Sequence, residues 1–218
     1  MTENAFNVNG TAGVEQIPQS LLTYYPKEVI FFQGDIGDHV LHIRSGEVTI
    51  AVATLSGKEA IVGVLGPGAF LGEEALAGRQ CRVVTATAMT HCTLQVVRSQ
   101  QMWDLLQHEH DFREHFVSSM LSRTIRLEYD LVDQMLNSAK QRLARVLLRL
   151  AEGDPHGATK ISQETLAGMV GTTRSRVNHF MNEFKRRGHV TYEHQRIKVN
   201  RSLRRLVEQV DDAAAVVA

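Results

Sequence analysis

Between residues 28 and 98 the apolar positions come in short runs, several alternating with polar ones, and turn signals recur every eight to twelve residues. The runs are EVIFFQ (28–33), VLHIRS (40–45), EVTIAVA (47–53), AIVGVL (60–65), RVVTATA (82–88) and CTLQVVR (92–98). Nine glycines lie between Gly34 and Gly78. Alternation of period two, interrupted at that spacing, predicts an antiparallel sandwich or barrel.

At Ser99 the period changes to that of a helix. SQQMWDLLQHE (99–109) predicts one short element, and residues 111–137 predict a long one, free of Gly and Pro. Phe116, Val117, Met120, Leu121, Ile125, Leu127, Leu131, Val132, Met135 and Leu136 make its stripe too wide for a single contact. Part of it can pack on the sandwich; the rest is served either by burial within one domain or by a second copy of the same helix. A further helix is expected over 140–152, then a loop over 153–160.

Residues 160–187, KISQETLAGMVGTTRSRVNHFMNEFKRR, predict two short helices joined at Gly171. Ser162 and Thr173 are placed to cap them, and Gly171 stands where a helix end needs a left-handed residue. At about 100° per residue, Val177, Phe180, Met181 and Phe184 share one arc of the second helix. The opposite arc holds Arg174, Ser175, Asn178, His179, Asn182, Lys185 and Arg186, with Glu183 at its margin. A rigid helix with an apolar back and a hydrogen-bonding, partly cationic front suits the major groove of DNA, whereas a merely solvated face mixes charge signs. HVTYEHQRIKVN (189–200) predicts two short strands around a turn, and a last helix is expected from Ser202. The expected fold is therefore α+β: an antiparallel sandwich or barrel, a long helix and a winged helix-turn-helix.

Charge sharpens this picture. The chain of 218 residues is neutral overall, yet residues 1–137 carry nine Lys and Arg against sixteen Asp and Glu, and residues 138–218 carry fifteen against eight. The basic part is the one that contains the candidate DNA helix, as binding to phosphates requires. Cys81 and Cys92 form no CxxC pair, which argues against a disulfide framework and against a structural zinc or iron–sulfur site. No apolar run approaches the roughly 20 residues that span a bilayer, and the N-terminus lacks the pattern of a secretory signal, so a cytoplasmic protein is expected. No acid, base and nucleophile recur at a useful spacing, so no enzyme is expected.

One more segment carries chemistry: FLGEEALAGRQCRVVTATA (70–88). A guanidinium at Arg82 can pair with a cyclic phosphodiester through two parallel bonds, and backbone N–H groups after Gly72 can donate to the same anion. Glu73 can accept from a ribose hydroxyl. On the residues alone, Glu73 and Arg82 can equally form an ion pair across a turn.

From residue 21 to about 210 the chain resembles the cyclic-AMP receptor protein / fumarate–nitrate regulator family of bacterial transcription factors. The helix-turn-helix segment carries the resemblance, together with the cassette pattern Phe70, Gly72, Glu73, Leu76, Gly78, Arg82. The resemblance implies an antiparallel jelly roll over 21–110 after a tail at 1–20, a dimerisation helix over 111–137, and a winged helix-turn-helix over 138–218. It implies a cyclic nucleotide, cAMP or cGMP ahead of cyclic di-GMP, near Gly72, Glu73, Glu74, Arg82, Val83, Thr124, Leu127 and Glu128. For DNA it implies Thr173, Arg174, Ser175, Arg176, Asn178, His179 and Lys185. The implied partners are a palindromic operator, a second copy and RNA polymerase, with no membrane. An alternative is a DNA-binding regulator that answers to a protein or redox signal, or to none, and keeps a vestigial pocket.

The chain departs from the family at informative places. Val83 stands where members that bind cyclic AMP carry Ser or Ala after the arginine. Leu127 and Glu128 replace the Thr and Ser set against the purine, with Thr124 one turn earlier. Ser175 and His179 replace a glutamate and an arginine of the reading helix, so the half-site is expected to differ from the family's commonest one.

Overall fold

The computed structural model describes residues 20–57, 59–152, 158–159, 161–193 and 196–207. The polar segment 1–17, most of the loop at 153–160 and the tail from residue 211 lie outside the described residues. The chain divides into two compact units, Met1–Arg126 and Leu127–Ala218.

In the first unit, strands β1 (Ser20–Tyr24), β2 (Val29–Phe31), β3 (His39–Ser45), β4 (Val48–Ala53), β5 (Glu59–Leu65), β6 (Phe70–Leu71), β7 (Thr85–Ala88) and β8 (Cys92–Arg98) form two antiparallel sheets. Their orders are β1-β8-β3-β6 and β2-β7-β4-β5. Neighbours in space are mostly not neighbours in sequence, which makes this a jelly roll rather than a meander. Leu41, Ile43, Val48, Ile50, Leu71, Ala86 and Leu94 fill the space between the sheets. The opposite face of β3 and β8 is covered as well: Val40, Phe70 and Val97 pack against Met102 of α1 (Ser99–His108) and against Phe112 and Phe116 of α2 (His110–Leu136). Phe70 sits at the centre of this layer, edge-on to Phe116 at 5.1 Å and stacked on His42 at 4.8 Å between ring centroids.

The second unit takes in the end of α2, then α3 (Ala139–Glu152), β9 (Ala158–Thr159), α4 (Gln163–Val170), α5 (Arg174–Arg186), β10 (Val190–Glu193) and β11 (Arg196–Val199). The strands form one sheet in the order β10-β11-β9. Leu143 and Leu147 of α3, Leu166 and Val170 of α4, Val177, Met181 and Phe184 of α5, and Val190, Ile197 and Leu203 share one core. The end of α2 is tied into this unit: Asp130 accepts from Arg149 at 2.7 Å, Asp133 accepts from Arg145, and Gln134 donates to the Val170 carbonyl. The fold is α+β, a jelly roll followed by helices and a winged helix-turn-helix.

Three strands go beyond the sequence expectation: β1 at an edge, and the two-residue β6 and β9. The helix expected from Ser202 begins as a 3-10 turn, Arg201–Leu203, whose Leu203 is fully buried.

Candidate functional site

The reading helix is built as its pattern demands. Ser162 accepts from the Thr165 N–H at 3.0 Å and Thr173 from the Arg176 N–H at 3.3 Å, so both helices start on capped N–H groups. Gly171 has φ 66°, and its N–H and that of Thr172 turn back onto carbonyls of α4, closing it before α5 begins. Val177, Met181 and Phe184 are buried, while Arg174, Ser175, Arg176, Asn178, His179, Asn182, Lys185 and Arg186 are exposed. Thr173 is exposed too, with its hydroxyl engaged in the cap.

The marginal carboxylate turns away from that front. Glu183 accepts from Lys140 of α3 at 2.6 Å and pairs with Arg187 at 2.9 Å. The Lys140 hydrogen bond, reinforced by the charges of Lys140, Arg187 and Arg186, holds its carboxyl below the usual range against the effect of burial. The front of α5 is thus left cationic and hydrogen-bonding.

Sequence reasoning passed over some neighbours of this face. Gln163 at the start of α4 donates to Asn178 at 3.4 Å, as does Asn182, and Glu164 lies 4.0 Å from Arg174. On β11 the alternation RIKV sends Ile197 into the core and exposes Arg196 and Lys198, with Arg201, Arg204 and Arg205 exposed just after. That alternation is a signal available in the sequence; the approach of α4 to α5 is not.

In the first unit the cassette residues come together around a 3-10 turn, Glu73–Ala77, flanked by Gly72 at φ 76° and Gly78 at φ 75°. Arg82 is 3% exposed and points inward. It donates to the Gly72 carbonyl at 3.2 Å and the His39 carbonyl at 2.9 Å, and its guanidinium lies 4.6 Å from the centre of the Phe31 ring. A Cβ on Gly37 or Gly72 would lie 2.2 or 2.0 Å from it, so both glycines exist to let the arginine in. Glu74 faces Arg82 at 3.5 Å, and Glu73 pairs with Arg123 of α2. Val83 is exposed beside the site. Thr124 spends its hydroxyl on the Met120 carbonyl at 3.1 Å, and Leu127 and Glu128 are exposed further along α2, in the part belonging to the second unit.

The remaining surface of note is on α2. Phe112 and Phe116 are buried, but Val117, Leu121 and Ile125 are about half exposed and line a shallow groove of about 520 Å³ with His110, Arg113, Glu114, Ser118 and Ser122. Leu131, Val132, Met135 and Leu136 are exposed as well.

Comparison with known proteins finds two domain families along the chain. The model of the cyclic nucleotide-binding domain matches residues 21–109, and that of the Crp-like helix-turn-helix domain matches residues 141–206. The cyclic AMP receptor protein of Thermus thermophilus is 29% identical over 168 residues, 75% of this chain and 76% of that protein. The CRP-like cAMP-activated global transcriptional regulator of Mycobacterium tuberculosis is 25% identical over 182 residues, covering 80% and 81%. A solved CRP/FNR-family transcriptional regulator of Thermus thermophilus matches with a TM-score of 0.68 and 27% identity, over 87% of this chain and 98% of its own. The second and third of these are transcriptional regulators.

Proposed function

From the premise that this chain belongs to the CRP/FNR family of transcriptional regulators, we propose that it is a homodimeric reader of palindromic DNA, gated by a cyclic nucleotide held in the β-roll. The DNA-binding role rests on the family; the mode of reading rests on α5. Its capped start, its buried apolar back and the withdrawal of Glu183 by Lys140 leave a cationic, hydrogen-bonding front, which suits a helix entering the major groove. Arg174 is assigned to a guanine and Asn178 to an adenine, by the fork geometry of each side chain; Ser175 and His179 complete the base-facing row. Thr173, Arg176 and Lys185 are assigned to phosphates, which position the helix without reading sequence.

Two-fold DNA needs a two-fold protein, and the apolar face of α2 left open by the jelly roll is the surface on which a second copy fits. The nucleotide reading rests on Gly72, Glu73 and Arg82 and on the names of the relatives, two of which are a cyclic AMP receptor and a cAMP-activated regulator. Val83, Leu127 and Glu128 leave the choice of base between cAMP and cGMP open. RNA polymerase is the natural next partner, in the cytoplasm. A second reading, regulation without a nucleotide, is favoured by one observation: Arg82 donates to the protein's own carbonyls, and its charge is already faced by Glu74.

Fluorescence anisotropy with a labelled selected operator, with and without cAMP or cGMP, tests the proposal. One nucleotide should tighten operator binding while leaving binding to random DNA little changed. Equal operator affinity under all conditions leaves the second reading. Absence of any preference for the operator contradicts both.

A further inference from the structure

Two consecutive glutamates open the 3-10 turn of the cassette, and at three residues per turn they leave it in different directions. Glu73 goes to Arg123, and Glu74 goes inward to Arg82. The Glu74 side chain is 10% exposed and that of Arg82 2%. Its Oε1 accepts no hydrogen bond among the described residues, and Arg82 Nη1 at 3.5 Å is the cation that faces it.

We propose that Glu74 is a built-in competitor of the ligand, occupying the anion position of the Arg82 guanidinium until a phosphate displaces it. This deepens the reading of the cassette as a cyclic-nucleotide site and rests on it. The two ion pairs make the cassette neutral by itself. A cyclic phosphate arriving while Glu74 stays in place would bring a second anion to a buried cation already compensated. Binding therefore exchanges one anion for another, and affinity is the difference between two pairs rather than the full value of one. The geometry favours the exchange at high ligand concentration. The Glu74 pair is long and lacks a hydrogen bond at Oε1, whereas a phosphate would form two bonds of about 2.7–2.9 Å. Gly37 and Gly72 pack against the guanidinium itself, so the arginine has little freedom to move, and Glu74 is the group that yields. The consequence is a regulator with a raised ligand threshold.

The test compares the full-length wild type with Glu74→Gln, which keeps the shape and removes the charge, and with Glu74→Asp, which keeps the charge; circular dichroism checks that each is folded. Calorimetry reads cAMP and cGMP, and thermal unfolding reads inorganic phosphate. Glu74→Gln should bind a cyclic nucleotide about tenfold tighter than wild type, because no anion then has to be displaced from Arg82, and phosphate should raise its melting temperature more than that of the wild type. Glu74→Asp should stay near the wild type. Equal or weaker nucleotide affinity in Glu74→Gln overturns the competitor and leaves the nucleotide site standing. If no protein binds a nucleotide while phosphate still favours Glu74→Gln, the nucleotide reading fails and the competitor stands. If neither ligand separates the proteins, the competitor is refuted.

Discussion

Replacing Leu121 by alanine tests the proposed dimer at the middle of the apolar stripe that Val117, Leu121 and Ile125 leave open on α2. Leu121 is 58% exposed in the single chain, between Val117 at 46% and Ile125 at 51%, each one turn away along the same stripe. Fully burying a leucine contributes about 1.5–3 kcal/mol, so covering the exposed half contributes about 1 kcal/mol. The two-fold axis doubles this to about 2 kcal/mol, most of which alanine forfeits. The dimer should weaken by about tenfold to thirtyfold. Leu121→Glu should abolish it in the micromolar range, since it brings two carboxylates into an apolar seam. Sedimentation velocity across nanomolar to micromolar concentrations measures both. The fold of each chain should survive, because the side chain is already open to water before association. A monomeric wild type at micromolar concentration, or three proteins with the same dissociation constant, would refute the reasoning.

The glycines of the cassette give a paired prediction. Gly72→Ala and Gly78→Ala both force a side chain into φ near 75°, costing about 1–2 kcal/mol each, but only at Gly72 does the new Cβ meet Arg82 and the His39 carbonyl. Denaturant unfolding should show the larger loss for Gly72→Ala, and nucleotide titration should show loss of binding in that variant alone. The Glu183–Lys140 pair predicts an acid limb. Because the folded carboxyl titrates below its ordinary value of about 4.5, its contribution is complete above that value and fades as pH falls through the lower, folded one. Lys140→Met should therefore lose less stability than wild type over that interval, measured by urea unfolding at stepped pH; parallel curves would contradict the assignment.

Much of this fold is legible in the sequence because its elements obey one period each. The arcs of α5 were readable residue by residue, since a helix with a single buried side keeps its pattern. Alternation misleads at β3 and β8, where His42 and Gln95 are buried at 1% and 0% exposure: helices cover the outer face of that sheet, so both sides of the strand face protein. β6 and β9, two residues each, are too short to carry any period. At the cassette, residue types point to the neighbourhood but not to the pairing: Arg82 faces Glu74, and Glu73 pairs with Arg123 rather than with Arg82. By residue type Arg82 is an open anchor for an anion; the structure gives it two carbonyls, an aromatic ring and Glu74, so its replacement would orphan buried groups. Pairings such as Arg82 with His39, or Lys140 with Glu183, join residues 43 positions apart and exist only once the chain has folded.

In the proposed mode of binding, α5 reads DNA through Arg174. Its side chain is 72% exposed at the first turn of the helix, loosely opposed by Glu164 at 4.0 Å, and so is free to reach a base edge. A bidentate pair with guanine is worth about 1–3 kcal/mol of discrimination. Selection of bound sequences from random DNA, run side by side on the wild type and Arg174→Ala, measures this directly. The wild type should enrich a palindrome with one fixed guanine in each half-site, and Arg174→Ala should enrich the same palindrome with that position alone relaxed. An unchanged motif in the variant, or no motif in the wild type, would contradict the placement of the reading helix.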